Sequence, residues 1–346
     1  MRRPRGVANA RAIGTAALRA IARFTVAAEP VAYGGQALVD GVLMRGRTHV
    51  GVALRAKDGS IATATEALGG GALRRLLAKI PASRGVVVLW ETLALGSRWL
   101  LRSAEVSAGD EEAERGSRTF GVLVLVMTLV LAIGVFNVLP AVGSTLLVRG
   151  LGFDSLLLER AVDAVMQMGI LIGYLALVGR SSDVDRTYRY HGAEHRAIHA
   201  YENGQALTRK NLDTWPTAHP RCGTEFLVVV ILVSLVAFSL LGRLDPLATV
   251  ASRVVGIPLV AGISYEILRL LGRYRNNRIA GALAAPGLAV QRITTRLPDD
   301  AMHDVAIAAL EAALVAEGAV IPAGSERPAT RPLPAVANMS NNGRGR

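Results

Sequence analysis

Between Phe120 and Val148 the chain reads FGVLVLVMTLVLAIGVFNVLPAVGSTLLV, without a single charge. About 20 apolar residues suffice for a helix to cross the hydrocarbon core of a bilayer. This run therefore predicts a membrane span, with Pro140 bending or ending it. Three more runs of the same kind follow: about Leu158 to Val178, about Phe226 to Leu241, and about Val250 to Leu271, the last interrupted by Gly256 and Pro258. Asp163 and Gln167 stand one helical turn apart in the second run; polar groups are costly in lipid and should face protein. Composition agrees, with 51% hydrophobic residues, 5% aromatics and a mean hydropathy of +0.36. The expected fold class is an α-helical integral membrane protein of about four transmembrane helices with a small α+β cytoplasmic portion.

Charge sets the expected orientation. The formal net charge is +12. The stretch 180–223 carries Arg180, Arg186, Arg189, Arg196, Arg209, Lys210 and Arg221, whereas 149–157 carries only Arg149 and 243–249 only Arg243. Cytoplasmic loops concentrate Lys and Arg, so both termini and the 180–223 loop are expected on the cytoplasmic side of a plasma membrane. No basic stretch is interleaved with aromatics, and no nucleic-acid partner is expected. One cysteine excludes an internal disulfide.

Outside the spans, residues 1–30 read as a basic tail resting on anionic lipid, with no signal-peptide core. The region 31–118 is expected to be α+β. Gly34, Gly35, Gly41 and Gly46 among apolar residues indicate strand and tight turn. A strand over 50–57, a turn at Asp58-Gly59 and a return strand over 60–66 follow. A short helix is expected over 73–80. A longer one, about 86–103, carries Trp90, Glu91, Arg98, Trp99 and Arg102, which fits a helix lying at the membrane interface. A polar linker covers 104–118. After the four-span region 119–272, the stretch 273–318 predicts C-terminal helices, the last opening at Pro298-Asp299-Asp300 and running to about Ala316. Residues 319–346 read as disordered.

Four of the six histidines lie between positions 191 and 219, and the only cysteine is Cys222. Residues 187–202 suit a helix stopped by Asn203-Gly204. On it, His191 and His195 share a face, and Glu194 sits at its edge. His-x-x-Glu-His is the inverted form of a zinc-protease helix motif, in which the carboxylate is the general base. His199 extends the stripe by a turn. His219 and Cys222, three apart in a stretch kept irregular by Pro216 and Pro220, add two donors. A thiolate with imidazoles suits Zn2+. If His191, His195, His219 and Cys222 all bind, the site is closed and structural; if one stands back, water takes the fourth position and Glu194 has a task. The plainer alternative is a cluster of histidines and arginines at a membrane edge. Glu202 and Glu266 are candidate supporting carboxylates, Glu266 equally a partner of Arg269 or Arg273. Asp40 reads as a solvated turn acid or a site carboxylate.

The segments Gly34-Gly35-Gln36-Ala37, Gly41-Val42, Met44-Arg45-Gly46, Tyr190-His191-Gly192-Ala193-Glu194-His195, His219…Arg221-Cys222-Gly223-Thr224 and Gln291-Arg292-Ile293-Thr294-Thr295 together resemble the YqhQ-like family (DUF1385) over roughly residues 30–316. These are bacterial membrane proteins of unknown function, commonly labelled predicted metal-dependent enzymes. The resemblance implies a metal-dependent site and draws Asp40 toward it; the Gly34–Gly46 segment is expected to fold over the site, its glycines allowing close backbone approach, with Gln36, Asp40 and Arg221 as supporting or lid residues. The family has Glu where this chain has Asp40, and its motif does not include the position of His199.

The function expected is that of a zinc-dependent membrane enzyme, a hydrolase, with Glu194 as base and His191, His195, His219 and Cys222 as the metal residues. The alternative is a non-enzymatic membrane scaffold with a structural zinc. Three protein ligands plus water favour the enzyme, and four favour the scaffold.

Overall fold

The computed structural model describes residues 33–69, 83–108, 118–219, 222–274 and 277–333. The basic tail, the expected helix over 73–80, most of the polar linker, Arg221 and residues 334–346 lie outside them.

Four strands form an antiparallel meander: β1 (Gly34–Leu38), β2 (Gly41–Arg45), β3 (His49–Arg55) and β4 (Ile61–Ala67). The β1–β2 turn is Val39-Asp40, with Asp40 in the left-handed region at φ 52°, a conformation that Asp tolerates better than most side chains. Gly59, at φ 79°, makes the turn between β3 and β4.

Alternation along the strands gives the sheet two apolar faces, and each is covered by helix. On one lie Leu38, Leu43, Val52 and Leu54 with Leu95 and Trp99 of α1 (Ser83–Ala108). On the other lie Tyr33, Val42, Met44 and Ala53. These meet Tyr190, Ala193 and Ala197 of α5 (Ser182–Glu202) and the alanine-rich α10 (Asp300–Glu317). Gly51 lets β3 and α10 touch, because a Cβ there would stand 2.3 Å from the Ala309 oxygen.

The α+β unit is thus not confined to the chain ahead of the apolar helices, as the sequence suggests. It draws α5 from the 180–223 loop and α10 from the end, since a two-faced sheet needs a layer on each side. The tail expected to be disordered from 319 is ordered to Leu333. Glu326 donates its N–H to the Leu207 carbonyl, and β5 (Thr330–Pro332) pairs parallel with β4. Those few main-chain bonds and the buried Leu333 hold a segment whose composition alone signals disorder.

The remaining helices are α2 (Arg118–Ile133), which passes through a π-helical turn, Gly134–Val138, into α3 (Leu139–Gly150); α4 (Leu156–Val178); the short α6 (Arg209–Asp213); α7 (Gly223–Leu240); α8 (Pro246–Arg273); and α9 (Arg278–Thr294). Pro140 stands in the first turn of α3, two residues past the π turn, where its missing N–H disturbs the ladder. Four helical runs are long and apolar enough to cross a membrane: Val126–Gly150, Leu156–Val178, Gly223–Leu240 and Leu247–Gly272. Their outward sides expose Leu131, Leu146, Val165, Leu240 and Val255. As expected, Asp163 and Gln167 turn inward. Gln167 donates to Asp163 at 2.8 Å, and Asp163 pairs with Arg253, which is 1% exposed and lies 4.0 Å over the Phe238 ring.

Candidate metal centre

Helix α5 carries the site. His191 and His195, one turn apart, bring their ring centroids to 4.4 Å. Cys222 is the N-cap of α7, its sulfur accepting from the Thr224 N–H at 3.5 Å. The His191 Nε2 lies 3.1 Å from the Cys222 Sγ, and one donor atom from each of His191, His195 and Cys222 falls within 4.8 Å of the others.

Both rings are oriented from behind. His191 Nδ1–H donates to the Thr294 carbonyl at 2.9 Å, and His195 Nδ1–H to the Thr217 carbonyl. Each Nε2 is left as the lone-pair nitrogen, the arrangement that outer partners impose on metal-ligating histidines. The donor set passes a test of fit. Ligand atoms roughly 2.0–2.3 Å from one ion stand about 3.3–3.8 Å apart, close to what these residues already span. Two imidazoles and a sulfur suit zinc.

Glu194 is buried beside them. Burial pushes its carboxyl up to about 8, with His191 opposing and Cys222 adding to the shift. Its Oε2 has no hydrogen-bond partner among the described residues. Burial also lowers His195 well below its usual range and raises the Cys222 thiol. A cation among the three donors reverses the penalty on the thiolate and the carboxylate alike.

The other residues that the sequence singles out take different places. His219 is outside the three-donor group: its Nε2 faces Glu202 Oε2 at 3.5 Å, and its ring centroid is 5.7 Å from that of His195. His199 donates Nε2–H to the Ala218 carbonyl at 2.9 Å and stacks on Trp215. Asp40, buried at the β1–β2 turn, ion-pairs with Arg186, one turn before Tyr190. Glu266 does not support the site: it is gripped by Arg84, Nε to Oε1 at 2.9 Å, which fastens α1 to α8. Gln36 points to the α1 side of β1, where a Cβ on Gly96 would meet its Oε1 at 2.0 Å. The glycine segment does reach the centre, since a Cβ on Gly35 would stand 2.7 Å from the Glu194 carboxylate.

Sequence reasoning passes over the frame behind the rings. Gln291, fully buried, accepts the His219 N–H at 2.9 Å, donates to the His219 carbonyl at 3.0 Å, and reaches Glu225 at 3.3 Å. Thr295 hydroxyl bonds the Gln291 carbonyl and Thr217. Thr294 and Thr217 act through main-chain oxygens, which carry no side-chain signature; the only signal was the Gln291–Thr295 stretch itself.

Comparison with known proteins identifies the family. The family model described as "Protein of unknown function (DUF1385)" matches residues 80–316, a range that includes all three donors and the α9 frame. The uncharacterized protein YqhQ of Bacillus subtilis (strain 168) is 32% identical over 291 residues, covering 80% of this chain and 91% of that protein. No solved structure matches. A donor cluster built from α5 and the α7 N-cap and braced by α9 lies wholly within the matched stretch, and the chain belongs to the YqhQ-like DUF1385 family.

Proposed function

We propose that this protein is a zinc-dependent membrane hydrolase, with its site at the cytoplasmic edge of a plasma membrane crossed four times. The observation that carries the reading is the meeting of His191, His195 and Cys222, each imidazole steered by a carbonyl, beside a buried Glu194 with one oxygen unpartnered among the described residues. His191, His195 and Cys222 would hold the ion. When bound, Zn2+ supplies a Lewis acid and an activated water. Glu194 would be the general base beside that position, able to accept a proton at its carboxylate and pass it to a leaving group. The Gly34–Gly35 main chain closes the site over Glu194. Three protein donors leave the fourth position open, which supports catalysis over the scaffold reading; the scaffold needs His219 as a fourth ligand, and its Nε2 is turned to Glu202.

The four apolar helices with outward leucines and valines support membrane insertion. The basic 180–223 loop supports the cytoplasmic placement.

The test is metal content of the purified full chain. Wild type and Glu194→Gln should carry about one zinc per chain, and His191→Ala and Cys222→Ala should carry little. A metal-free wild type overturns the reading, and loss of metal in Glu194→Gln makes Glu194 a ligand instead of a base.

A further inference from the structure

β1 is an edge strand: among the described residues its one strand neighbour is β2. The two-residue turn pairs Leu38 with Gly41, Gln36 with Leu43 and Gly34 with Arg45. In a hairpin closed this way the closing pair carries both ladder bonds and every second pair repeats them. The N–H and C=O of Gly35 therefore point away from β2, toward the open edge. Gly35 is exposed along this edge while the direction of its missing side chain is filled by Glu194. One residue thus turns a main-chain donor and acceptor outward from the ladder, beside the buried carboxylate.

The same edge opens on a cavity of about 310 Å3 lined by Gly34, Gly35, Leu43, Leu95, Gly96 and Gly223. Gly223 directly follows Cys222, so the cavity reaches the metal-donor loop at one end. Glycine main chain makes up half of its lining; Gln36, Arg45 and Thr92 add polar groups, and Leu43 and Leu95 are the large apolar ones. A hydrocarbon tail requires a continuous apolar wall. A peptide requires main-chain hydrogen-bonding groups on one side and a pocket for alternate side chains on the other, which is the way extended segments add to a sheet edge.

We propose that the substrate is an extended polypeptide segment that pairs with the Gly35 edge of β1, with one apolar side chain between Leu43 and Leu95. This rests on the hydrolase reading above and names its substrate class. Pairing at Gly35 sets a peptide carbonyl beside Glu194. Water adds to that carbonyl carbon, the C–N bond breaks, and the proton accepted by Glu194 passes to the nitrogen, giving a carboxylic acid and an amine.

The test measures calorimetric binding to the zinc-loaded full chain of three probes: a hydroxamate-capped leucyl dipeptide, the same compound N-methylated on its internal amides, and octanoyl hydroxamate. Two main-chain hydrogen bonds of ordinary strength predict that the dipeptide binds about ten-fold or more tightly than either of the others. Leu43→Trp, which narrows the cavity, should lose that advantage at unchanged zinc content. Equal affinity of the methylated probe overturns the edge pairing, and stronger binding of octanoyl hydroxamate assigns the cavity to lipid. If none of the three binds the zinc-loaded chain, the ion offers no open position, the hydrolase reading fails and the peptide assignment falls with it.

Discussion

The carbonyl oxygen of Arg296 stands 2.1 Å from where a Cβ on Gly192 would be. The glycine inside His-Gly-Ala-Glu-His is therefore a contact point: α5 meets the link between α9 and α10 there, and Arg296 completes it by donating its N–H to the Tyr188 carbonyl at 2.9 Å. Gly192→Ala should push that link away and cost about 1–3 kcal/mol through overpacking. Because Thr294 lies just ahead of it, the His191 ring should lose its carbonyl as well. A lowered thermal midpoint together with weakened zinc retention is the expected result. An unchanged midpoint shows that the link shifts freely.

A second prediction concerns His219. Its Nε2 faces Glu202 and it lies outside the donor trio, so His219→Ala should retain zinc where Cys222→Ala does not. Elemental analysis of the two variants side by side decides it. Equal loss of zinc makes His219 a ligand and restores the closed, structural site.

Glu194 sets a pH dependence in metal-free protein. Burial raises its folded-state pKa from 4.5 to about 8. Between those values the folded state keeps a proton that the unfolded chain releases, so stability is full below 4.5 and falls as pH rises toward 8. His195, lowered by burial, acts oppositely, its contribution being lost as pH falls below 6.5. Comparison with Glu194→Gln isolates the first effect. In chelator, the wild-type midpoint should drop relative to the Gln variant as pH rises from 5 to 8, on the order of several degrees. Parallel curves for the two proteins would refute the raised carboxyl.

Within the helical bundle, Asp163 and Arg253 form a buried pair between α4 and α8. Removing one partner strands the other charge, so Asp163→Ala should cost about 3–5 kcal/mol. The double change Asp163→Leu with Arg253→Met should recover most of that. Resistance to denaturation in detergent micelles provides the comparison, and a single variant as stable as wild type shows that the pair is solvated.

Much of this was legible in the residues. The four apolar runs declare themselves by length, and His191 and His195 by helical spacing. Cys222 is marked as the only thiol near the histidine cluster. What could not be read is whatever depends on a partner far along the chain. Asp40 and Glu266 carry no local mark that Arg186 and Arg84 will claim them. The Thr294 and Thr217 carbonyls are invisible by residue type. β5 is three residues long and ends in proline, far below the length at which alternation is detectable. The α+β layer was underestimated for the same reason: α10 reads as an ordinary amphipathic helix until β3 is laid against it.

The pairing of Thr48 with Glu317, 269 positions apart, has a bearing on how the molecule is made. The β1–β4 meander leaves the ribosome before any of the apolar helices. Helix α5, made midway, covers the β1–β2 part of its α10-facing side, but the β3 part stays bare until the last of those helices has been synthesised, because α10 comes from beyond it. During that interval Ala53 and its β3 neighbours present an uncovered apolar sheet surface, the kind of transient surface on which chains misassociate. Truncation before α10 should consequently yield an aggregating nascent chain, not a smaller folded protein, and the closing of the sheet marks the completion of the whole assembly.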